Sequence, residues 1–352
     1  MEKADQDDRN YVLACYASSL IHGETILARA IKTDTIKRYL YAAASFSLAR
    51  QCVDPRLNFY GKESHHLSKI LCAHKHWESM PDRREPVTEL MIQYMLKINP
   101  GDDTLDAALY DWNVLGKYYG YRRAEWAQDH KNLAKKRLGR LPVSGDVQAF
   151  RRDDFIFYGP DGTRIAQGDT VILDENDPNI GRIDCRWRYQ KNGDNGQHKS
   201  QSRNVKNPDQ CPVRAALRIR RRSQTCGAVT SADPMAIFVN PKGLPQYIAD
   251  TQVNAYLQKV AKAVYKITDP IELARWTCHS IRVGACVTLF NQHKNESFIM
   301  FQLRWRSNSW KVYIRDSPHL SEAHIQAFND GWDAMLKSQK NTEIGAIKTE
   351  KT

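Results

Sequence analysis

Apolar positions along the first eighty residues recur with the period of a helix. In TDTIKRYLYAAASFSLARQ, Ile36, Leu40, Ala43 and Ala44 fall on one face, with Thr33 or Thr35 placed to cap the start. In ESHHLSKILCAHKHW, Leu67, Ile70, Leu71 and His74 do the same. Pro86 disfavours helix at Glu85, and Thr88 can cap a new one, so a domain boundary is expected near residues 81–86. Residues 104–130 again read as helix, interrupted at Gly120. After Pro142 the period changes. Phe155–Tyr158 reads as a short strand before a Gly-Pro-Asp-Gly turn. In RIDCRWRYQ, Ile183, Cys185, Trp187 and Tyr189 alternate with polar residues, and KNGDNG closes a hairpin with Lys191 at its lip. Residues 212–222 and 250–266 return to helix. The expected fold class is mainly α with a small antiparallel β-sheet (α+β). Residues 1–82 form a helical domain, 83–340 a larger domain ending in a helix, and 341–352 a flexible tail.

Composition narrows this picture. The 352 residues are 41% hydrophobic and 10% aromatic, which fits two folded domains and not a disordered chain. No run approaches the roughly 18–20 apolar residues of a membrane helix. MEKADQDDRN lacks the apolar core of a signal peptide. Eight cysteines without a CxxC pair suggest neither a disulfide framework nor a zinc site. Cys72-Ala-His-Lys-His76 reads as helix surface. An intracellular, reduced protein is expected.

Lysine and arginine number 52 against 40 aspartates and glutamates, a surplus of +12 that favours polyanions. The cations cluster at Lys135, Lys136, Arg137 and Arg140, and again at Arg214, Arg218, Arg220, Arg221 and Arg222. Each cluster reads as a solvated face or as a patch that tracks phosphates.

The candidate chemistry begins at CHSIRVGACVTLF. Cys278, Ile281, Ala285 and Leu289 mark an apolar stripe, while His279 and Arg282, three residues apart, share another face. A buried Arg282 needs an anion from the fold or from a ligand. By itself HxxR reads as a structural ion pair. Three further signals join it: Gly120-Tyr-Arg122-Arg-Ala-Glu125, read as a GxRxxE pattern on a helix; the hairpin Lys191; and FQLRWRSNSWKVYIRD, in which Trp305 precedes Tyr313 by eight residues.

In this order and spacing the residues resemble the catalytic set of the tyrosine recombinases, the phage-integrase family. HSIRVGA and RWRS…Y most resemble the Crypton-type recombinases of eukaryotic mobile elements. The motifs span residues 120–315, and the order of domains extends the resemblance over nearly the whole chain. Two features depart from the family: Gln302-Leu303-Arg304 lacks the glycine usual before the His or Trp, and the long Arg122–His279 interval implies an insertion around 140–180 or 223–250.

The resemblance implies a site-specific recombinase or integrase that cuts and rejoins DNA through a 3′-phosphotyrosine. Tyr313 would be the nucleophile, and Arg122 and Arg282 would clamp the phosphate. His279 and Trp305 would donate hydrogen bonds, and Lys191 (or Lys199) would protonate the leaving oxygen. Glu125 would support the site, and Lys135, Lys136, Arg137, Arg214, Arg218 and Arg221 are DNA-binding candidates. No cofactor, metal, membrane or small-molecule substrate is implied. The implied partners are double-stranded DNA and further copies of the chain, a tetramer on paired sites. The implied location is at DNA, in the nucleus if the source is eukaryotic. Residues 1–82 would be the core-binding, DNA-clamping domain. After Tyr313, Ala323, Ile325, Phe328, Trp332 and Met335 would form an amphipathic helix for docking on a neighbouring protomer. Two alternatives stand beside this reading: DNA relaxation of the type IB topoisomerase kind, and a domesticated DNA-binding protein that has lost catalysis.

Overall fold

The computed structural model describes residues 3–24, 30–78, 83–99, 101, 103–128, 149–168, 171–190, 193–226, 233–314, 325, 326 and 329. The chain divides into two compact units, residues 1–82 and 83–352.

The first unit consists of α1 (Lys3–His22), α2 (Thr33–Ala49) and α3 (His65–Trp77). Leu13, Ala17, Leu20, Ile36, Leu40, Leu67 and Leu71 meet in its core. The loop after α2 is tied back by Asn10, whose side-chain amide donates to the Pro55 and Leu57 carbonyls at 3.1 and 2.8 Å. Lys32 stands at the N-cap position of α2 without a cap bond from its own side chain, and the Thr33 amide donates to the Glu78 carboxylate instead. This corrects the expected threonine cap: Thr33 lies inside the helix and is buried, so its hydroxyl has moved past the exposed first amides. Cys72 and His76 lie on the surface of α3, as their place in the pattern suggests.

The second unit opens with α4 (Glu89–Ile98) and α5 (Leu105–Tyr119). Thr88 and Thr104 cap them, accepting from the Met91 and Ala107 amides. A three-stranded antiparallel sheet follows in the order β1 (Phe155–Tyr158), β2 (Arg182–Trp187), β3 (Gln197–Ser202). Phe155 pairs with Cys185, and Cys185 with Lys199. Ile183, Cys185 and Trp187 face the core as the alternation predicts. The strand ends at Trp187, however, and Tyr189 is exposed beyond it. Next come α6 (Pro212–Thr225), a hairpin of β4 (Ile237–Val239) and β5 (Pro245–Tyr247), α7 (Asp250–Tyr265), α8 (Pro270–Leu273), α9 (Ser280–Asn291) and α10 (Glu296–Leu303). A 3-10 segment, Asn308–Tyr313, closes the continuously described chain. The unit is mainly α with small antiparallel sheets. Among the described residues no helix is long and apolar enough to cross a membrane.

Two close approaches position the functional elements. Gly120 ends α5 in the left-handed region (φ +51°), and a Cβ there would meet the Leu303 side chain at 2.8 Å. Gly284 lies so close to the Val87 carbonyl that any side chain would collide with backbone. Alongside it, the Val87 amide donates to the Ser280 carbonyl at 3.1 Å and fixes the start of α9.

The left-handed turn at Gly120 also ends the helix for good. Arg122 has extended backbone (φ −83°, ψ 155°) and precedes a 3-10 turn, Arg123–Glu125, so GxRxxE lies after α5 and not on a helix.

Candidate active site

A cleft of about 730 Å³ in the second unit is lined by Arg84, Arg122, Arg123, His279, Arg282, Trp305, Arg306 and Tyr313, among others. Five residues singled out by spacing thus reach one cavity from three stretches of chain: the end of α5, the start of α9 and the segment after α10. Lys191 lies outside the described residues. Lys199 does not line the cleft. It is buried on β3 with Nζ 3.0 Å from the Phe301 ring centroid, and burial together with the charge of Arg304 holds it down at about 8.

Arg282 is almost fully buried, at 1% exposure. Among the described residues no carboxylate bonds it, so the fold does not supply the anion that one of the two readings required. Its guanidinium donates instead to the carbonyl of Gly120, the residue that caps α5, and, at 2.8 Å, to the carbonyl of Leu303, the last residue of α10. Trp305 covers it, with Cζ 4.2 Å from the ring centroid. Burial and the nearby charges of Arg304 and Arg122 press its pKa down to about 9, so it stays a cation at neutral pH.

Arg122 sits beside it through Glu125. One carboxylate oxygen accepts the Arg122 amide at 2.8 Å, and the other accepts its Nη1 at 3.1 Å. The same carboxylate takes the Trp187 indole N–H at 3.0 Å and both terminal nitrogens of Arg304 at 3.0 Å each. Burial alone would raise the Glu125 pKa; the charge and hydrogen bonds of Arg304, with Arg122, outweigh it and hold the group down at about 2.

His279 occupies the N-cap position of α9, one residue before the helix. Its Nε2 is 2.8 Å from the Tyr313 hydroxyl. Burial, then the charges of Arg282, Arg84 and Arg122, lower its pKa to about 4, so the ring is neutral at pH 7. Burial raises the pKa of Tyr313, and Arg282 and Arg122 only partly offset that. The protonated phenol is therefore the resting form. The Trp305 indole packs against Tyr313 with centroids 5.5 Å apart, and its buried N–H has no acceptor among the described residues.

The other tyrosines near Arg122 are spoken for. Tyr119 and Tyr121 are core residues, and the Tyr118 hydroxyl donates to the Gln210 carbonyl at 2.9 Å.

The basic run on α6 has carboxylate partners. Arg218 and Arg222 grip the buried Asp111 at 2.6 and 2.8 Å. Glu175 lies 3.7, 3.5 and 3.4 Å from Arg214, Arg218 and Arg221. These arginines form an ion-paired layer within the unit. Lys135, Lys136 and Arg137 lie outside the described residues, as do Ala323, Phe328, Trp332 and Met335. Ile325 is helical and exposed.

Sequence reasoning missed Arg304, Arg306, Arg84 and Arg123. Arg304 carried a signal, since an arginine stands where a glycine was expected. Arg123 pairs with Asp250 at 2.8 Å, and Arg306 with Asp194 on the β2–β3 hairpin. Among the described residues no cluster of three or more His, Cys, Asp or Glu could hold a metal ion.

Chemically, the cleft combines two adjacent guanidiniums, a neutral imidazole, an unpartnered indole N–H and a phenol. That set suits a tetrahedral oxyanion next to a nucleophilic oxygen.

No protein-family model matches the chain, and no curated protein does. Among solved structures the chain is similar to the Tn1549 transposon integrase in complex with transposon right end DNA. That likeness has 12% identity and a TM-score of 0.47, and covers 90% of this chain and 84% of that one. The same integrase with circular intermediate DNA gives 14% identity and a TM-score of 0.43 over 91% of this chain and 86% of that one. The XerH site-specific recombinase bound to difH substrate gives 11% identity and a TM-score of 0.36 over 90% of this chain and 94% of that one. These likenesses are distant, and what the cleft can do rests on its own residues.

Proposed function

We propose that the protein is a site-specific DNA recombinase or integrase of the tyrosine type, closest in motif wording to the Crypton kind. The observation that carries the proposal is the meeting of Arg122, His279, Arg282, Trp305 and Tyr313 in one cleft, with the Tyr313 hydroxyl 2.8 Å from His279.

In this reading Arg122 and Arg282 hold the two non-bridging oxygens of the scissile phosphate. His279 and the Trp305 indole add hydrogen bonds to the same group. The Tyr313 oxygen attacks phosphorus and passes its proton to the neutral His279 Nε2, 2.8 Å away, as the new bond forms. The bond from phosphorus to the 5′ oxygen breaks, and Lys191 or Lys199 supplies that oxygen with a proton. The 3′-phosphotyrosine conserves the bond energy, and a 5′ hydroxyl of a second strand reverses the step. Residues 1–82 serve as the DNA-clamping domain, and several copies assemble on paired sites in the compartment that holds the DNA.

The test is capture of a covalent adduct on a nicked suicide duplex, with the linked residue mapped by mass spectrometry. Linkage at Tyr313 is the expected outcome. Strand breakage without a protein adduct would overturn the proposal.

A further inference from the structure

Arg304 takes left-handed backbone (φ 58°, ψ 50°), a conformation that glycine adopts without strain, and its charged side chain is 4% exposed. A glycine there would avoid both the strain and the burial of charge. What the arginine adds is a set of connections. Nη1 donates to Glu125 Oε1 and to the Gln190 side-chain oxygen, each at 3.0 Å, while Nη2 donates to Glu125 Oε2 at 3.0 Å. The guanidinium lies over Trp187, the last residue of β2, 3.8 Å from its ring centroid. Glu125 in turn holds the amide and side chain of Arg122. On either side in the chain, the Leu303 carbonyl receives Arg282, and Trp305 covers Arg282. Gln190 immediately precedes Lys191 in the sequence. A buried ion pair is a poor source of net stability but a good source of fixed geometry.

We propose that Arg304 is a positioning residue that ties the β2–β3 hairpin to the arginine clamp, so that the proton donor and the phosphate oxygens are held in one register. This inference rests on the recombinase reading. Arg304 itself touches neither phosphate nor nucleophile; it acts through Gln190 and Glu125.

Two duplexes test it in single-turnover adduct formation. One is ordinary DNA. The other has sulfur in place of the bridging 5′ oxygen at the scissile phosphate, so its leaving group departs without a proton. Gln190→Ala cuts the link to Arg304, together with the Gln190 side-chain bonds to the Asp194 carbonyl and to Gln197 within the hairpin, and leaves the Arg304–Glu125 pair intact. It should slow cleavage of ordinary DNA about tenfold and be restored on the sulfur duplex to within about twofold of wild type. Arg304→Gly, which suits the backbone, should slow ordinary cleavage about a hundredfold. Sulfur should recover about tenfold of that, the remainder reflecting a loosened Arg122. Arg304→Lys, which keeps the charge but loses the fork, should behave like Arg304→Gly. The proposal is overturned if Gln190→Ala is slowed equally on both duplexes, or if either Arg304 variant cleaves ordinary DNA within about threefold of wild type. Wild-type protein that forms no adduct on either duplex overturns the recombinase reading itself, an outcome distinct from both.

Discussion

The Tyr313 hydroxyl and His279 Nε2 face each other at 2.8 Å, and both groups are neutral at pH 7. Burial keeps the phenol protonated, while burial and three arginines keep the imidazole unprotonated. The nucleophile proposed for this cleft therefore rests un-ionised. An anion between the guanidiniums and loss of the phenolic proton then belong to the same event.

Tyr313→Phe keeps the ring against Trp305 and deletes only the hydroxyl. Folding and salt-dependent DNA affinity are expected to survive, and adduct formation on a nicked duplex is expected to vanish. Tyr118→Phe, which loses a hydroxyl bonded to the Gln210 carbonyl, serves as the control and should keep adduct formation. A covalent link that persists in the Tyr313 variant would sink the assignment.

Arg122→Lys and Arg282→Lys each retain a charge but give up the planar fork. Each should lower single-turnover cleavage by about 10²–10³-fold with little change in DNA affinity. Arg282→Lys should also lower the melting temperature more than Arg122→Lys, because lysine cannot serve both the Gly120 and the Leu303 carbonyl in the same way. Near wild-type cleavage by either variant would remove that arginine from the clamp.

Glu125→Ala leaves Arg304 buried without its carboxylate. The expected cost is about 3–5 kcal/mol in chemical denaturation. Glu125→Gln should cost less, since it still offers an oxygen to one arginine. Denaturation curves that match the wild type for Glu125→Ala would show the pair to be dispensable.

His279 has a definite pH signature. Its folded pKa of about 4 lies below the ordinary 6.5, so between these values the unfolded chain binds a proton that the folded chain refuses. The stability tied to this group is fully present above about pH 6.5 and declines as pH falls towards 4, by at most about 3 kcal/mol. His279→Gln should flatten that part of the stability profile. An unchanged slope between pH 6.5 and 4 would contradict the depressed pKa.

Adduct formation should continue in EDTA, because arginines supply the charge and lysine the proton for the proposed reaction. Nicking that disappears in EDTA and returns with Mg²⁺ would refute this mechanism.

Patterns carried by neighbours in sequence were legible. The strand alternation of Ile183, Cys185 and Trp187 and the Thr88 cap follow from local spacing, whereas α9 is buried all round from Ser280 to Cys286 and shows no single apolar stripe. Long-range pairing was not. Arg282 reads as a cation in need of an anion, yet its carbonyl acceptors come from helix ends set by Gly120 and Leu303, 162 and 21 residues away. The α6 arginines read as a solvated face or a phosphate-tracking patch because Asp111 and Glu175, which pair with Arg214, Arg218, Arg221 and Arg222, lie far off in the chain. Arg304 was visible only as a missing glycine; its bond to Glu125 spans 179 residues. Helical continuation past Gly120 failed because composition does not reveal that this glycine adopts positive φ.

Arg282 is held by carbonyls and not by a carboxylate, and that choice fixes the charge balance of the cleft. Carbonyl dipoles solvate a guanidinium without cancelling it. Arg122 and Arg304 share the carboxylate of Glu125 while Arg282 bonds carbonyls alone, so its positive charge adds to the cleft uncancelled by a bonded carboxylate. A phosphodiester brings one negative charge, and attack by a deprotonated tyrosine adds a second as phosphorus becomes five-coordinate. In the proposed reaction that positive charge would favour the more highly charged state in which the phosphodiester breaks over the phosphodiester at rest, which is the condition for binding energy to appear as rate.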